Sequence, residues 1–375
     1  MERYLTDALR VDLPRKILLL TGPRQCGKTT LARDLVSNAE YLNHDFAEHR
    51  LVMREKSWDR RKPLVIFDEL HKMSGWKAWL KGIYDVEGFP PSLLATGSAS
   101  LSAFRKTGDS LAGRSFEFRL HPVDLKEALR YSGLGLDEAF ARLLSVGGFP
   151  EPFLDGRSAY YNRWRRSHVD RILREDMITL TAMRDIQAIE TLIEMLRSRV
   201  GSPVSAASLA QGLQKSPATV QNWLQLLEDL YVVFSVTPWH RNVERALLKA
   251  RKYYFYDNGM VQGDPGAVLE NLVACALLKE VHRRCDVDGD PMSLHYARNK
   301  DGHEVDFLLV RKNRPCLLLE VKWQDDALSP HFRKLFPAGS FPRVQIVGEL
   351  RRSKSFPSGE RVVPARDFLA TMQLA

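Results

Sequence analysis

Residues 1–125 alternate between short unbroken apolar runs and segments of helical spacing. Ile17, Leu18, Leu19 and Leu20 form one such run, closed by a glycine loop. A run of this kind suits a strand covered on both faces in a parallel sheet. Residues 30–36 then repeat at helical spacing, and further strands are expected at 40–42, 64–67, 93–96 and 116–120. The order predicts an α/β fold built on a doubly wound sheet.

Between residues 126 and 185 the pattern turns helical, as a lid or linker broken by the turn-rich Gly147-Gly148-Phe149-Pro150-Glu151-Pro152. The aromatic and basic residues 160–166 read as an amphipathic helix with its rings in a core. Residues 186–260 predict a winged helix-turn-helix. Ile189, Leu192, Ile193 and Leu196 share one helical face, 206–213 makes a short helix, and Ser216-Pro217 caps a third helix that runs to Leu230. Strands at 232–236 and 252–256 would form the wing, and Thr219, Gln221, Asn222 and Gln225 are the polar side chains the third helix offers a DNA groove. Residues 261–375 return to mixed α/β, with a helix over 269–283 and strands at 293–297, 304–310, 316–321 and 343–347.

The chain has 375 residues, too many for a single growing core, and four segments are expected: 1–125, 126–185, 186–260 and 261–375. Its net charge of +9 favours a polyanionic partner such as DNA, although a basic solvated surface accounts for the same number. Cys26, Cys275, Cys285 and Cys316 are scattered without a C-x-x-C pair, which encodes neither a zinc site nor a disulfide framework. No run approaches the roughly 20 apolar residues of a membrane span. A cytoplasmic protein without membrane contact is expected.

Candidate chemistry concentrates first at Gly22-Pro23-Arg24-Gln25-Cys26-Gly27-Lys28-Thr29, a G-x-x-x-x-G-K-[ST] loop between a strand and a helix. Its backbone N–H groups and the helix start, with Thr30 beyond, would cradle the phosphates of ATP. Lys28 would meet the β and γ phosphates, and the Thr29 hydroxyl would ligate Mg2+. Asp68 and Glu69 end the next buried strand, Asp68 to hold the magnesium shell and Glu69 to polarise the attacking water. Thr96 or Ser98 would reach toward the γ-phosphate. Arg114 is placed to stabilise charge in a neighbouring subunit's site, with Arg105 and Arg119 as rivals.

The order of the 22–29 loop, Asp68-Glu69, Thr96-Gly97-Ser98, Leu111-Ala112-Gly113-Arg114 and Gly148-Phe149-Pro150-Glu151 resembles the prokaryotic AAA-type P-loop ATPases with an uncharacterised C-terminal domain. The similarity spans nearly the whole chain. It implies an AAA+-like P-loop NTPase core, a winged-helix segment and a C-terminal restriction-endonuclease-like α/β domain, in an ATPase expected to form a homo-oligomer such as a ring, with DNA or a protein as partner.

Asp306, followed by Glu320-Val321-Lys322, is similar to the D…E-x-K signature of restriction-endonuclease-like nucleases. Strand alternation points Glu320 and Lys322 to one face, where Asp306 on a neighbouring strand can join them. Glu270, on the helix that opens this segment, would complete a magnesium shell. Three functions follow: ATP hydrolysis coupled to DNA or partner binding, an ATP-regulated magnesium-dependent nuclease, or a nucleotide-dependent scaffold with little turnover. Glu69 argues against the last.

Overall fold

The apolar runs of the N-terminal third become five parallel strands: β1 (Ile17–Thr21), β2 (Glu40–Asn43), β3 (Leu64–Asp68), β4 (Ser92–Thr96) and β5 (Ser115–Arg119). Their order across the sheet is β2-β3-β4-β1-β5. In this computed structural model the described residues are 3–97, 111–176, 185–239, 250–337 and 339–372. Ser98 and Arg105, two of the candidates above, lie outside them.

The chain divides into two units. The first is Met1–Pro122 with Asp229–Tyr231 and Asp286–Asp288; the second is Val123–Glu228, Val232–Cys285 and Gly289–Ala375. In the first unit every residue of β3 is buried, as a strand covered on both faces requires. Helices Ala47–Glu55 and Trp76–Glu87 contribute Met53, Trp76, Leu80 and Ile83 to the core against Val65 and Phe67. Trp58, Phe67 and Trp79 meet edge to face, with centroids 5.1 to 5.8 Å apart. Because all five strands run the same way, Thr21, Asp68 and Thr96 finish at one edge of the sheet, which is where such sheets bind ligands.

The second unit is built on a nine-stranded mixed sheet with strands β6 (Pro203–Val204), β7 (Val233–Pro238), β8 (Arg251–Phe255), β9 (Met292–Arg298), β10 (Glu304–Arg311), β11 (Arg314–Lys322), β12 (Arg343–Val347), β13 (Lys354–Ser355) and β14 (Glu360–Pro364). Their order is β13-β14-β12-β11-β10-β9-β7-β8-β6. β7 pairs in parallel with β9, so strands from both sides of residue 260 share one sheet. Ala206–Leu213 and Pro217–Asp229 are helices, the second capped by Ser216, whose hydroxyl accepts from Thr219 N at 3.1 Å. The basic aromatic stretch is part of helix Ser158–Arg171, with Tyr161 and Trp164 buried and Trp164 stacked on His168. β14 has no apolar run to announce it: Glu360 is buried within it, 3.3 Å from the equally buried Arg343 of β12.

The Gly-Gly turn has a packing reason. Gly147 adopts φ +72°, and a Cβ there would fall 2.3 Å from the Asp257 carboxylate. Tyr161 OH donates to Asp257 Oδ2 at 2.8 Å and Gly259 N to Oδ1 at 3.2 Å, while Asn258 reaches the Leu143 carbonyl at 3.1 Å. Residues 143–147, 161 and 257–259 are thereby fastened into one knot.

Burial pushes the Asp257 carboxyl up to about 7, against the hydrogen bonds from Tyr161 and Gly259. In the unfolded chain this group ionises near about 4. Between those values the folded state holds a proton that the unfolded state has lost, so stability falls as pH rises from about 4 to about 7. Asp257→Asn should flatten that fall, so that denaturation free energies at pH 5 and pH 7 differ less than in wild type, by about 1–3 kcal/mol. Equal slopes in the two proteins would show that Asp257 does not titrate in this window.

Candidate functional site

β1 runs directly into the phosphate-type loop. Gly22 takes φ +143°, and a Cβ on it would lie 2.2 Å from the Leu120 carbonyl oxygen, so only glycine allows the loop to pass β5. Gly27 and Gln25 also have positive φ, at 97° and 60°. Pro23 and Cys26 are buried, Arg24 is half-buried, and Gln25 and Thr30 are exposed. The Lys28 ammonium donates to the loop's own carbonyls, Gly22 O at 2.9 Å and Pro23 O at 2.6 Å.

Asp68 gathers the elements around it. Its Oδ2 accepts from Thr29 Oγ1 at 2.9 Å and from the Tyr41 hydroxyl at 2.6 Å. Its Oδ1 accepts from Thr96 Oγ1 and, at 3.1 Å, from Glu69 N. One carboxylate therefore joins the loop after β1 to β2, β3 and β4. Burial, followed by the bond to Asp68, raises the Tyr41 phenol to about 12 and keeps it a donor. The Thr29 hydroxyl and the Asp68 carboxylate are hard oxygen donors already in contact, the donor set Mg2+ takes.

Glu69 follows in a left-handed backbone, φ +54°, costly for a non-glycine residue. Its Oε2 is buried with no hydrogen-bond partner, 3.6 Å from both His71 Nε2 and Lys72 Nζ. Burial raises the Glu69 carboxyl above its ordinary value, against the nearby Lys72 charge. His71 moves the other way: burial, then the charges of Lys72, Arg24 and Lys28, push it down to about 4, so its ring is neutral at pH 7.

Arg114 is not brought to this edge. It precedes β5 at the other end of the strand and forms a two-pronged ion pair with Asp85, at 2.6 and 3.2 Å. Its rival Arg119 ends β5 and pairs with Asp286.

Sequence reasoning overlooked three contributors here. Arg3, 4% exposed, donates to the Cys26 carbonyl at 2.7 Å and the His121 carbonyl at 2.6 Å, tying the loop to the end of β5. Nothing local marks it, since its partners are 23 and 118 residues away. Tyr41 was read only as strand. His71 had a legible signal in the Asp-Glu-x-His spacing of residues 68–71.

In the second unit Glu270 and Asp306 lie together, and Phe307 pairs with Leu319, which sets Asp306 beside Glu320. Asp306 Oδ2 accepts from Val321 N at 2.9 Å, and Lys322 Nζ lies 2.8 Å from Glu320 Oε1. The sequence reading left out Lys252, Glu304 and Tyr254. Lys252 Nζ, on β8, lies 2.9 Å from Glu304 Oε1, 3.2 Å from Asp306 Oδ1 and 3.5 Å from Glu270 Oε1. Tyr254 OH donates to Glu270 at 2.7 Å. Among the described residues no group of three or more His, Cys, Asp or Glu is arranged to hold a metal ion. Of the expected shell, Glu270 and Asp306 face the Lys252 ammonium, whereas Glu320 pairs with Lys322. Burial raises the Glu270 and Glu320 carboxyls, each with a further push from Asp306.

Removing Arg3 would leave two buried carbonyls without their charged donor. Arg3→Ala should weaken ATP binding by about tenfold, and Arg3→Lys, which cannot fork to both carbonyls, should recover only part of it. Calorimetric titration with ATP measures this, and unchanged affinity in Arg3→Ala would dismiss the clamp.

Residues 14–129 match the family described as AAA domain. Residues 137–263 and 265–367 match two described as domains of unknown function, DUF8612 and DUF4143. The chain is similar to an uncharacterized protein of Mycobacterium tuberculosis, 27% identical over 95% of this chain and 81% of that one. It is also similar to one of Methanocaldococcus jannaschii, 23% identical over 81% and 74% of the two chains. A solved RuvB structure from Thermotoga maritima overlaps 61% of this chain and 85% of its own, at 15% identity and a TM-score of 0.31. No helix among the described residues is long and apolar enough to cross a membrane. The glycine loop on five parallel strands is thus a P-loop-type nucleotide-binding fold, in a region similar to the family described as AAA domain.

Proposed function

We propose that this protein is a magnesium-dependent ATPase whose turnover is coupled to DNA through its C-terminal segments. The observation that carries the ATPase assignment is the hydrogen bond of 2.9 Å from Thr29 to Asp68, with the Glu69 carboxylate beside it lacking a hydrogen-bond partner on Oε2. Thr29 and Asp68 would hold Mg2+, which when bound neutralises charge on the β and γ phosphates. Lys28 leaves the Gly22 and Pro23 carbonyls to bind those phosphates. Thr96 orients Asp68, and Glu69 accepts a hydrogen bond from the attacking water and polarises it. His71, neutral and buried, stands 3.6 Å from Glu69 Oε2 and adds no charge of its own beside that base.

Coupling to DNA draws support from the net charge of +9 and from helix Pro217–Asp229, which exposes Gln221, Asn222 and Gln225 in the manner of a winged-helix reader. The nuclease alternative is not favoured, because an ammonium already fills the acidic cluster of the C-terminal sheet. In a homo-oligomer, Arg114 at the far end of β5 would serve the neighbouring subunit's site.

Lys28→Ala should abolish ATP binding, whereas Glu69→Gln should retain binding and lower turnover at least about a hundredfold. Equal phosphate release by Glu69→Gln and wild type would remove Glu69 from the mechanism. Arg114→Ala should bind ATP normally, hydrolyse it slowly and regain activity when mixed with Lys28→Ala subunits. Activity in the mixture that merely follows dilution would exclude a shared site. Duplex DNA should raise turnover at low salt and lose that effect as salt increases, and binding indifferent to salt would argue against a phosphate-contacting surface.

A further inference from the structure

Lys252 is a long charged side chain on β8 whose exposure is 1%, a burial that lysine tolerates only when its charge is answered. Its ammonium has three protons, and three carboxylates stand around it: Glu304 at 2.9 Å, Asp306 at 3.2 Å and Glu270 at 3.5 Å. They come from different elements, β10 for Glu304 and Asp306 and helix Pro265–Val287 for Glu270. Tyr296 adds its ring face 5.5 Å from the nitrogen. The surroundings are thus those of a cation site, with acidic oxygens converging from separate elements.

The oxygens that a divalent ion would need are spoken for. Glu270 Oε1 accepts from Tyr254 OH as well as facing Lys252, and the two oxygens of Asp306 are taken by Lys252 and by Val321 N. Glu320 differs: it is 3% exposed, Oε1 pairs with Lys322, and Oε2 has no hydrogen-bond partner. A metal ion bridging Glu320 and Asp306 would lie against the Lys252 ammonium in a buried setting, where like charges repel strongly.

We propose that Lys252 is the resident cation of this cluster: its tethered ammonium neutralises Glu270, Glu304 and Asp306 in place of a divalent metal ion, and the cluster accepts such an ion only when that charge is removed. Burial works against the ammonium, but Asp306, Glu270 and Glu304 outweigh it and raise the pKa of Lys252, which favours the charged form. The assignment is independent of the ATP site and holds whether or not the first unit hydrolyses ATP.

The test is Mn2+ binding by the full chain without nucleotide, followed by electron paramagnetic resonance of the free ion. Wild type and Asp306→Asn are expected to bind alike, since no ion uses Asp306 while Lys252 is present. Lys252→Ala is expected to gain one site at least tenfold tighter than any Asp306-dependent binding in wild type, and Lys252→Ala with Asp306→Asn to lose it. This comparison leaves aside any Mn2+ held at Asp68, which is the same in all four proteins. Mn2+ binding in wild type that disappears in Asp306→Asn overturns the proposal without reference to any lysine variant. A folded Lys252→Ala with no Asp306-dependent site overturns it equally. Should Lys252→Ala fail to fold, Lys252→Gln, which keeps a donor and drops the charge, makes the same comparison.

Discussion

Asp68 is the point through which the nucleotide end of the molecule is organised. A carboxylate that is 5% exposed survives in an apolar sheet only if its oxygens are hydrogen-bonded, and here four donors come from four places: Thr29, Tyr41, Glu69 N and Thr96. Each donor fixes its own element against β3. The loop after β1 is held from a second side by Arg3, through Cys26 O, and from beneath by the close approach of Gly22 to Leu120. The register of parallel pairing brings these groups to one edge, and the carboxylate then sets the spacing between them to within a hydrogen bond.

The strands of the first unit were legible because they are short apolar runs between turn residues, and the expected 64–67 and 93–96 differ from Leu64–Asp68 and Ser92–Thr96 by a single residue. The glycine loop was legible for another reason: its spacing reflects backbone geometry that few other sequences satisfy. Arg3 and Tyr41 were hidden because their value lies in long-range contacts that no local pattern records. β14 was hidden because its inward residue is Glu360, which is satisfied only by Arg343 from another strand. In the C-terminal segment the acidic residues stood out as interruptions of apolar strands, yet the lysine that answers them lies on β8, between Arg251 and two tyrosines, where it reads as an ordinary basic position.

The two buried acidic clusters show how context divides similar chemistry. Around Asp68 the neighbours are neutral donors, two hydroxyls, a phenol and an amide, none of which brings a positive charge into contact with the carboxylate. Around Asp306 the neighbour is itself a cation, and the other buried acids, Glu270 and Glu320, are pushed up by burial and by the Asp306 charge while the lysines beside them pull the other way. Carboxylates at strand ends are therefore an incomplete description of a site; the charge of the donors facing them decides what can enter.

Lys28 gives the loop a further property. With its ammonium turned onto the Gly22 and Pro23 carbonyls, Lys28 closes the loop on itself through two hydrogen bonds. On the proposed ATPase reading, nucleotide capture would be an exchange in which phosphate oxygens replace peptide oxygens on the same nitrogen. The net affinity would then be the difference between those two sets of bonds, and a ligand too short to reach the ammonium would forgo the contact.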